Sequence, residues 1–178
     1  VRSYEMTFED KSVLTDLARR CGEALQRQGL QLTTAESCTG GGIAEAITRI
    51  AGSSAWFSQG WVTYSNAAKV SQLGVSTTLL DTQGAVSEAV VIAMAEGARL
   101  RADADWAIAV SGVAGPGGGS PEKPVGTVWL AWANRQATYA VCQHFSGDRS
   151  AIREQTVALA LTELFKRLCG SEVADPMP

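Results

Sequence analysis

The sequence predicts an α/β protein, a three-layer α/β/α sandwich around a mixed, mostly parallel sheet that ends in a C-terminal antiparallel hairpin. Three observations carry that expectation. Helical apolar spacings alternate with short β-rich runs through most of the chain, as in βαβ units. Residues 106–110 are apolar throughout, which suits a strand covered on both faces. Residues 126–133 and 137–145 are β-rich stretches joined only by Asn134-Arg135-Gln136, the spacing of a hairpin.

Each element has its own signal. Val13, Leu14, Leu17, Ala18, Cys21 and Leu25 recur at three- and four-residue steps, giving an amphipathic first helix that Gly29 caps after Gln28. Residues 30–35 form the first strand. Ile43, Ala46, Ile47 and Ile50 mark a second helix, broken by Ala51-Gly52-Ser53-Ser54. Trp61-Val62-Thr63-Tyr64 is β-rich, and Ser65 or Asn66 then suits the N-cap of a short helix carrying Lys69 and Leu73. A loop containing Gly74 leads to Ser87, which can cap an Ala-rich helix over 88–102. After the strand at 106–110 comes a glycine-rich loop over 112–126, of the kind that usually serves function in a compact domain. Following the hairpin, Asp148 or Ser150 can cap a last helix with Val157, Leu161, Leu164 and Leu168 on its core face. Residues 1–170 read as one domain without repeat or linker, and 171–178 as a polar, frayed tail.

Composition narrows the partners. With 178 residues, 46% hydrophobic and 19% charged, the chain can bury a full core. A net charge of -3 without a basic block makes nucleic acid or an anionic membrane a poor partner. No apolar run approaches the roughly 20 residues that span a bilayer, and no signal-peptide pattern opens the chain. Cys21, Cys38, Cys142 and Cys169 are scattered without a C-x-x-C pair, so reduced thiols in a cytoplasm are expected. Metal-ligand clusters are lacking, which makes zinc improbable, and no cofactor is expected.

Three segments follow strands, where open α/β sheets bind ligands: 36–42, 64–69 and 111–119. The chain has one histidine, His144, so a nucleophile here would draw on a lysine or tyrosine rather than a Ser-His-Asp relay. In the first segment Ser37 or Thr39 can attack an acyl carbon while amides near Gly40, Gly41 and Gly42 hold an oxyanion or phosphate; the plainer account is a capped helix start. Cys38 gains nucleophilicity if the helix start lowers its pKa, yet an inert buried thiol fits a histidine-poor chain better. In the second segment Lys69 lies one helical turn after Ser65. Desolvation would make it a general base, against the commoner solvated surface lysine, and Tyr64 is a base candidate or a packed aromatic. The third segment, with Gly115, Gly117 and their neighbours, lacks both the P-loop ending and the helix that a dinucleotide fingerprint opens; it suits a backbone wall or lid. Arg149 and Arg153 can grip a phosphate or simply face Asp148 and Glu154. Trp56, Phe57 and Trp61 can stack on an aromatic ligand or fill a subunit interface, with core packing the safer account.

Taken together, six ordered blocks resemble the CinA carboxy-terminal domain family: Ala35-Glu36-Ser37-Cys38-Thr39-Gly40-Gly41, Ala51-Gly52-Ser53-Ser54-Ala55-Trp56-Phe57, Val62-Thr63-Tyr64-Ser65-Asn66 with Lys69, Gly84-Ala85-Val86-Ser87, Ser111-Gly112-Val113-Ala114-Gly115-Pro116, and Lys123-Pro124-Val125-Gly126-Thr127-Val128. The resemblance runs from about Leu14 to Leu168. It implies hydrolysis of the carboxamide of nicotinamide mononucleotide to nicotinate mononucleotide and ammonia in pyridine-nucleotide recycling, by a metal-independent Ser/Lys hydrolase that forms a homo-oligomer. On it, Ser37 is the nucleophile with Thr39 in reserve, Lys69 the base, and Tyr64 its assistant. Thr39, Gly40, Gly41, Gly115, Gly117 and Arg149 are implied to shape the substrate site. Longer relatives carry a further amino-terminal domain, so a stand-alone amidohydrolase is expected here. The rival reading is a non-catalytic nucleotide-binding or regulatory domain linked to competence and damage response.

Overall fold

The computed structural model describes residues 8–170, with side chains from Ser12 onward. The expected tail over 171–178 lies outside the described residues. Five strands form one sheet in the order β2-β1-β3-β4-β5: β1 Leu32–Glu36, β2 Phe57–Val62, β3 Trp106–Gly112, β4 Thr127–Ala133 and β5 Thr138–His144. β1 pairs in parallel with both β2 and β3, while β3, β4 and β5 pair antiparallel, so the mixed sheet and its terminal hairpin are as expected.

Helices cover both faces. On one side α1 (Phe8–Gln28), α2 (Gly42–Thr48) and α6 (Arg149–Cys169) pack over Leu32, Ile108, Val110, Val128, Leu130 and Trp132. On the other, α3 (Asn66–Leu73), α4 (Thr77–Gln83) and α5 (Glu88–Ala102) lie over Ala35, Ala107, Ala109, Ala131 and Ala133. Period-2 alternation sorts the fully buried strand residues, large ones to the first face and alanines to the second, where the partly buried Trp61 and Trp129 flank them. The alanine floor lets α5 come close, and its own Gly97 lets the α3 backbone approach in turn: a Cβ at Gly97 would collide with the Leu73 carbonyl oxygen. Trp56 is core and packs against Gly22, Phe57 joins the first layer and Trp61 the second. None of the described helices is long and apolar enough to cross a membrane.

The elements differ from expectation at their ends and in one omission. The first strand starts at Leu32 because Leu30 still closes α1, its N–H donating to the Leu25 carbonyl at 2.9 Å after Gly29 turns left-handed. The second strand lies earlier than the expected 61–64 stretch. Ser58, Gln59 and Gly60 are exposed on the sheet edge and hide its start from an apolar reading. Helix α4 was not expected; Ser76 caps it by accepting from the Leu79 N–H. Ser65 caps α3, Ser87 caps α5 and Asp148 caps α6.

Candidate active site

β1 delivers two consecutive polar residues to opposite faces of the sheet. Glu36, its last residue, turns toward α2, and Ser37 turns toward α3. The backbone of Ser37 is fixed on both sides: its N–H donates to the Val110 carbonyl at 3.1 Å, and its carbonyl accepts from the Gly40 N–H at 3.0 Å.

Lys69 comes to meet it. α3 begins at the Ser65 cap, and one turn later the Lys69 side chain points inward, only 1% exposed. Its Nζ lies 3.0 Å from Ser37 Oγ, 2.8 Å from the Thr63 carbonyl and 3.5 Å from the Tyr64 carbonyl. Among the described residues no carboxylate pairs with it, and burial pushes its pKa below the ordinary lysine value of 10.5. Two main-chain carbonyls can take the two N–H bonds of a neutral amine, which leaves its lone pair facing the Ser37 hydroxyl. The sequence places Lys69 near Ser65, but that serine is exposed and spends its oxygen on the Ala68 N–H.

Ser37 and Lys69 open into a cavity of about 290 Å³ that Tyr64, Gly115, Gly117 and Arg149 also line. Arg149 spans its mouth: Nη1 donates to the Gly115 carbonyl at 2.8 Å and Nη2 to the Tyr64 hydroxyl at 2.9 Å. Tyr64 is 60% exposed, so it meets Lys69 through its carbonyl while its ring stands at the rim. Cys38, Ala114 and Gly115 line the cavity as well, and no carbonyl of another described residue accepts from their amides. The Cys38 thiol is pushed up to about 11 by burial, the reverse of an activated thiolate.

The remaining candidates lie elsewhere. Thr39, Gly40 and Gly41 do not line this cavity. Thr39 Oγ1 donates to Glu36 Oε1 at 2.6 Å, and Thr39 instead borders a separate cavity of about 170 Å³ with Arg49 and Arg153. The amides expected to hold an oxyanion are already taken. Those of Gly40 and Gly42 close turns onto the Ser37 and Thr39 carbonyls, and that of Gly41 faces the Glu36 carboxylate, to which the amides of Ile43 and Ala44 also donate. Gly40 and Gly41, both at positive φ, make the turn that permits this. Arg153 donates to the Thr39 carbonyl at 2.9 Å, away from the larger cavity. Glu36 itself was missed by the sequence reading. The available signal was an acidic residue at a strand end that leads through a short turn into a helix, where a carboxylate can meet unpaired amides.

The model of the CinA C-terminal domain family matches residues 14–168. A nicotinamide-nucleotide amidohydrolase PncC from Pseudomonas putida is 60% identical over 153 residues, covering 86% of this chain and 96% of that protein. The protein of the same name from Escherichia coli K12 is 54% identical over 159 residues, covering 88% and 95%. The crystal structure of competence/damage inducible protein CihA from Agrobacterium tumefaciens superposes with a TM-score of 0.85 at 48% identity, covering 88% of this chain and 96% of that one.

Proposed function

The chain belongs to the CinA C-terminal domain family, and on that footing we propose that it hydrolyses the carboxamide of nicotinamide mononucleotide to nicotinate mononucleotide and ammonia. The observation that carries this reading is the 3.0 Å approach of a buried, carboxylate-free lysine amine to a serine hydroxyl at the floor of a cavity. The names of the 54–60% identical relatives support the substrate.

Ser37 Oγ attacks the amide carbon while Lys69 Nζ takes the hydroxyl proton. The donors available to the oxygen that becomes negative are amides of the cavity wall, those of Cys38, Ala114 and Gly115, which have no carbonyl partner among the described residues. Collapse breaks the C–N bond, and the Lys69 ammonium returns its proton to the departing amine, releasing ammonia and leaving an ester on Ser37. Water then attacks the ester, giving its proton to Lys69. Expulsion of Ser37, reprotonated by Lys69, frees the carboxylic acid, which ionises. Tyr64 accepts from Arg149, so its own O–H proton is free for the ligand at the mouth, and Arg149 sets a positive charge beside Gly115 and Gly117 for the anionic end of the nucleotide. Every group used is a side chain or a backbone amide, so the chemistry calls for no metal or cofactor. The same reading carries the setting: recycling of pyridine nucleotides by a homo-oligomer in the cytoplasm.

The test is ammonia release from nicotinamide mononucleotide, matched mole for mole by nicotinate mononucleotide, in the parent protein and in Ser37→Ala. We expect turnover in the first and none above background in the second. Nucleotide binding with no ammonia released would instead make the domain a binding module.

A further inference from the structure

We propose that Glu36, which does not touch the cavity, is a positioning residue for Ser37, acting through Thr39; this deepens the reading of Ser37 as nucleophile and rests on it. Glu36 is fully buried, and it is an acidic side chain the reaction does not use. Its carboxylate gathers three donors: Thr39 Oγ1 at 2.6 Å, Ile43 N at 2.8 Å and Ala44 N at 3.0 Å. It thereby ties the end of β1 to the start of α2 across the turn that carries Ser37.

Thr39 is held at both ends. Its hydroxyl is on Glu36, and its carbonyl accepts both from Arg153 of α6 at 2.9 Å and from Gly42 N at 3.1 Å. Two residues earlier the Ser37 carbonyl accepts from Gly40 N at 3.0 Å. The turn between Ser37 and Gly42 is therefore clamped from the layer opposite the cavity, and the clamp leaves the Ser37 side chain only its own rotation. Burying a carboxylate is costly unless several donors meet it, and such a set is disrupted when one acceptor is replaced by a donor. Glutamine at 36 does that: its NH2 faces a hydroxyl or an amide that has nowhere else to give its proton.

The geometry separates positioning from binding. Because Glu36 and Thr39 are absent from the cavity lining, their loss should lower kcat and leave KM nearly alone. A residue that only supports the fold would lower the melting temperature without changing the reactivity of each folded molecule.

The experiment compares the parent with Glu36→Gln, Thr39→Val and Thr39→Ser, each confirmed folded by thermal melting. Two readouts are taken: kcat and KM for ammonia release, and the rate at which a fluorophosphonate labels Ser37, followed by peptide mass spectrometry. The second readout does not depend on the identity of the natural substrate. We expect kcat and labelling to fall about tenfold or more in Glu36→Gln and Thr39→Val, KM to change by less than about threefold, and Thr39→Ser to recover most of both, since a shifted nucleophile is costly and serine restores the donor. Should Glu36→Gln fail to fold, the two Thr39 variants decide the matter alone. Parental kcat and labelling in a folded Glu36→Gln or Thr39→Val would overturn the proposal and leave the amidohydrolase reading intact. A parent protein that neither releases ammonia nor labels at Ser37 would remove that reading, and this proposal with it.

Discussion

Lys69 is a costly residue for the fold and, in the proposed mechanism, the general base. Burial lowers its pKa, and among the described residues its hydrogen-bond partners are a hydroxyl and two carbonyls. As pH rises its ammonium gives up the proton that blocks base catalysis, so kcat/KM should climb along a limb whose midpoint lies below the ordinary 10.5. Lys69→Ala should abolish turnover, and full activity in that variant would exclude the lysine as base. Stability follows the same titration. Between the folded pKa and the unfolded value, the unfolded chain holds the lysine proton and the folded one does not. Stability therefore rises with pH through that window and is lower on its acid side. Lys69→Met should flatten this slope and raise the melting temperature at neutral pH while removing activity, a trade common where a site strains its surroundings. An unchanged pH dependence of melting would show that the lysine keeps its proton in the fold.

At the scale of elements, the approach of α3 to α5 decides where Lys69 sits. Gly97→Ala places a Cβ against the Leu73 carbonyl, so α3 must shift. We expect a loss of about 1–3 kcal/mol in chemical denaturation, as for other overpacked contacts. We also expect kcat to drop roughly tenfold or more, because the amine moves relative to Ser37. Unaltered kcat in this variant would mean that α3 tolerates displacement. These elements were unevenly legible. Long periodic helices such as α1, α5 and α6 announced themselves by spacing and caps, and the hairpin by its short Asn134-Arg135-Gln136 turn. The edge strand β2 showed only its end, at Trp61 and Val62, since its exposed Ser58-Gln59-Gly60 carries no apolar alternation and its pairing with β1 is non-local. Helix α4 is short, and its one clear sign, Ser76 as cap, lay in a stretch read as loop.

For the molecule as a whole, the two helical layers divide the labour. One holds the large-residue core; the other, packed on alanines, brings Lys69 to the carboxyl end of β1. Leu164→Ala, at the far end of α6 in the first layer, should therefore cost about 2–5 kcal/mol in denaturant unfolding. Turnover per folded molecule should stay within about twofold of the parent, as for distant, independent positions. A large fall in kcat at constant folded fraction would instead show that core packing tunes the site. The candidate residues Ser37, Tyr64, Lys69, Gly115 and Gly117 could be named from sequence because their segments follow strand ends, and Arg149 because it opens the last helix; the fold gathers all six around one cavity. Thr39, Gly40 and Gly41 could not be separated from them by motif. Which side of the sheet a residue serves depends on strand register, and it was Glu36, one place before Ser37, that drew the turn's hydroxyl and amides to the opposite face.

The most direct test of the Ser37–Lys69 account is acid-quenched turnover of nicotinamide mononucleotide followed by peptide mass spectrometry. A nicotinate-mononucleotide acyl mass is expected on Ser37, absent from Ser37→Ala and Lys69→Ala. The same adduct on Thr39 or Cys38, or full turnover by Ser37→Ala, would contradict it.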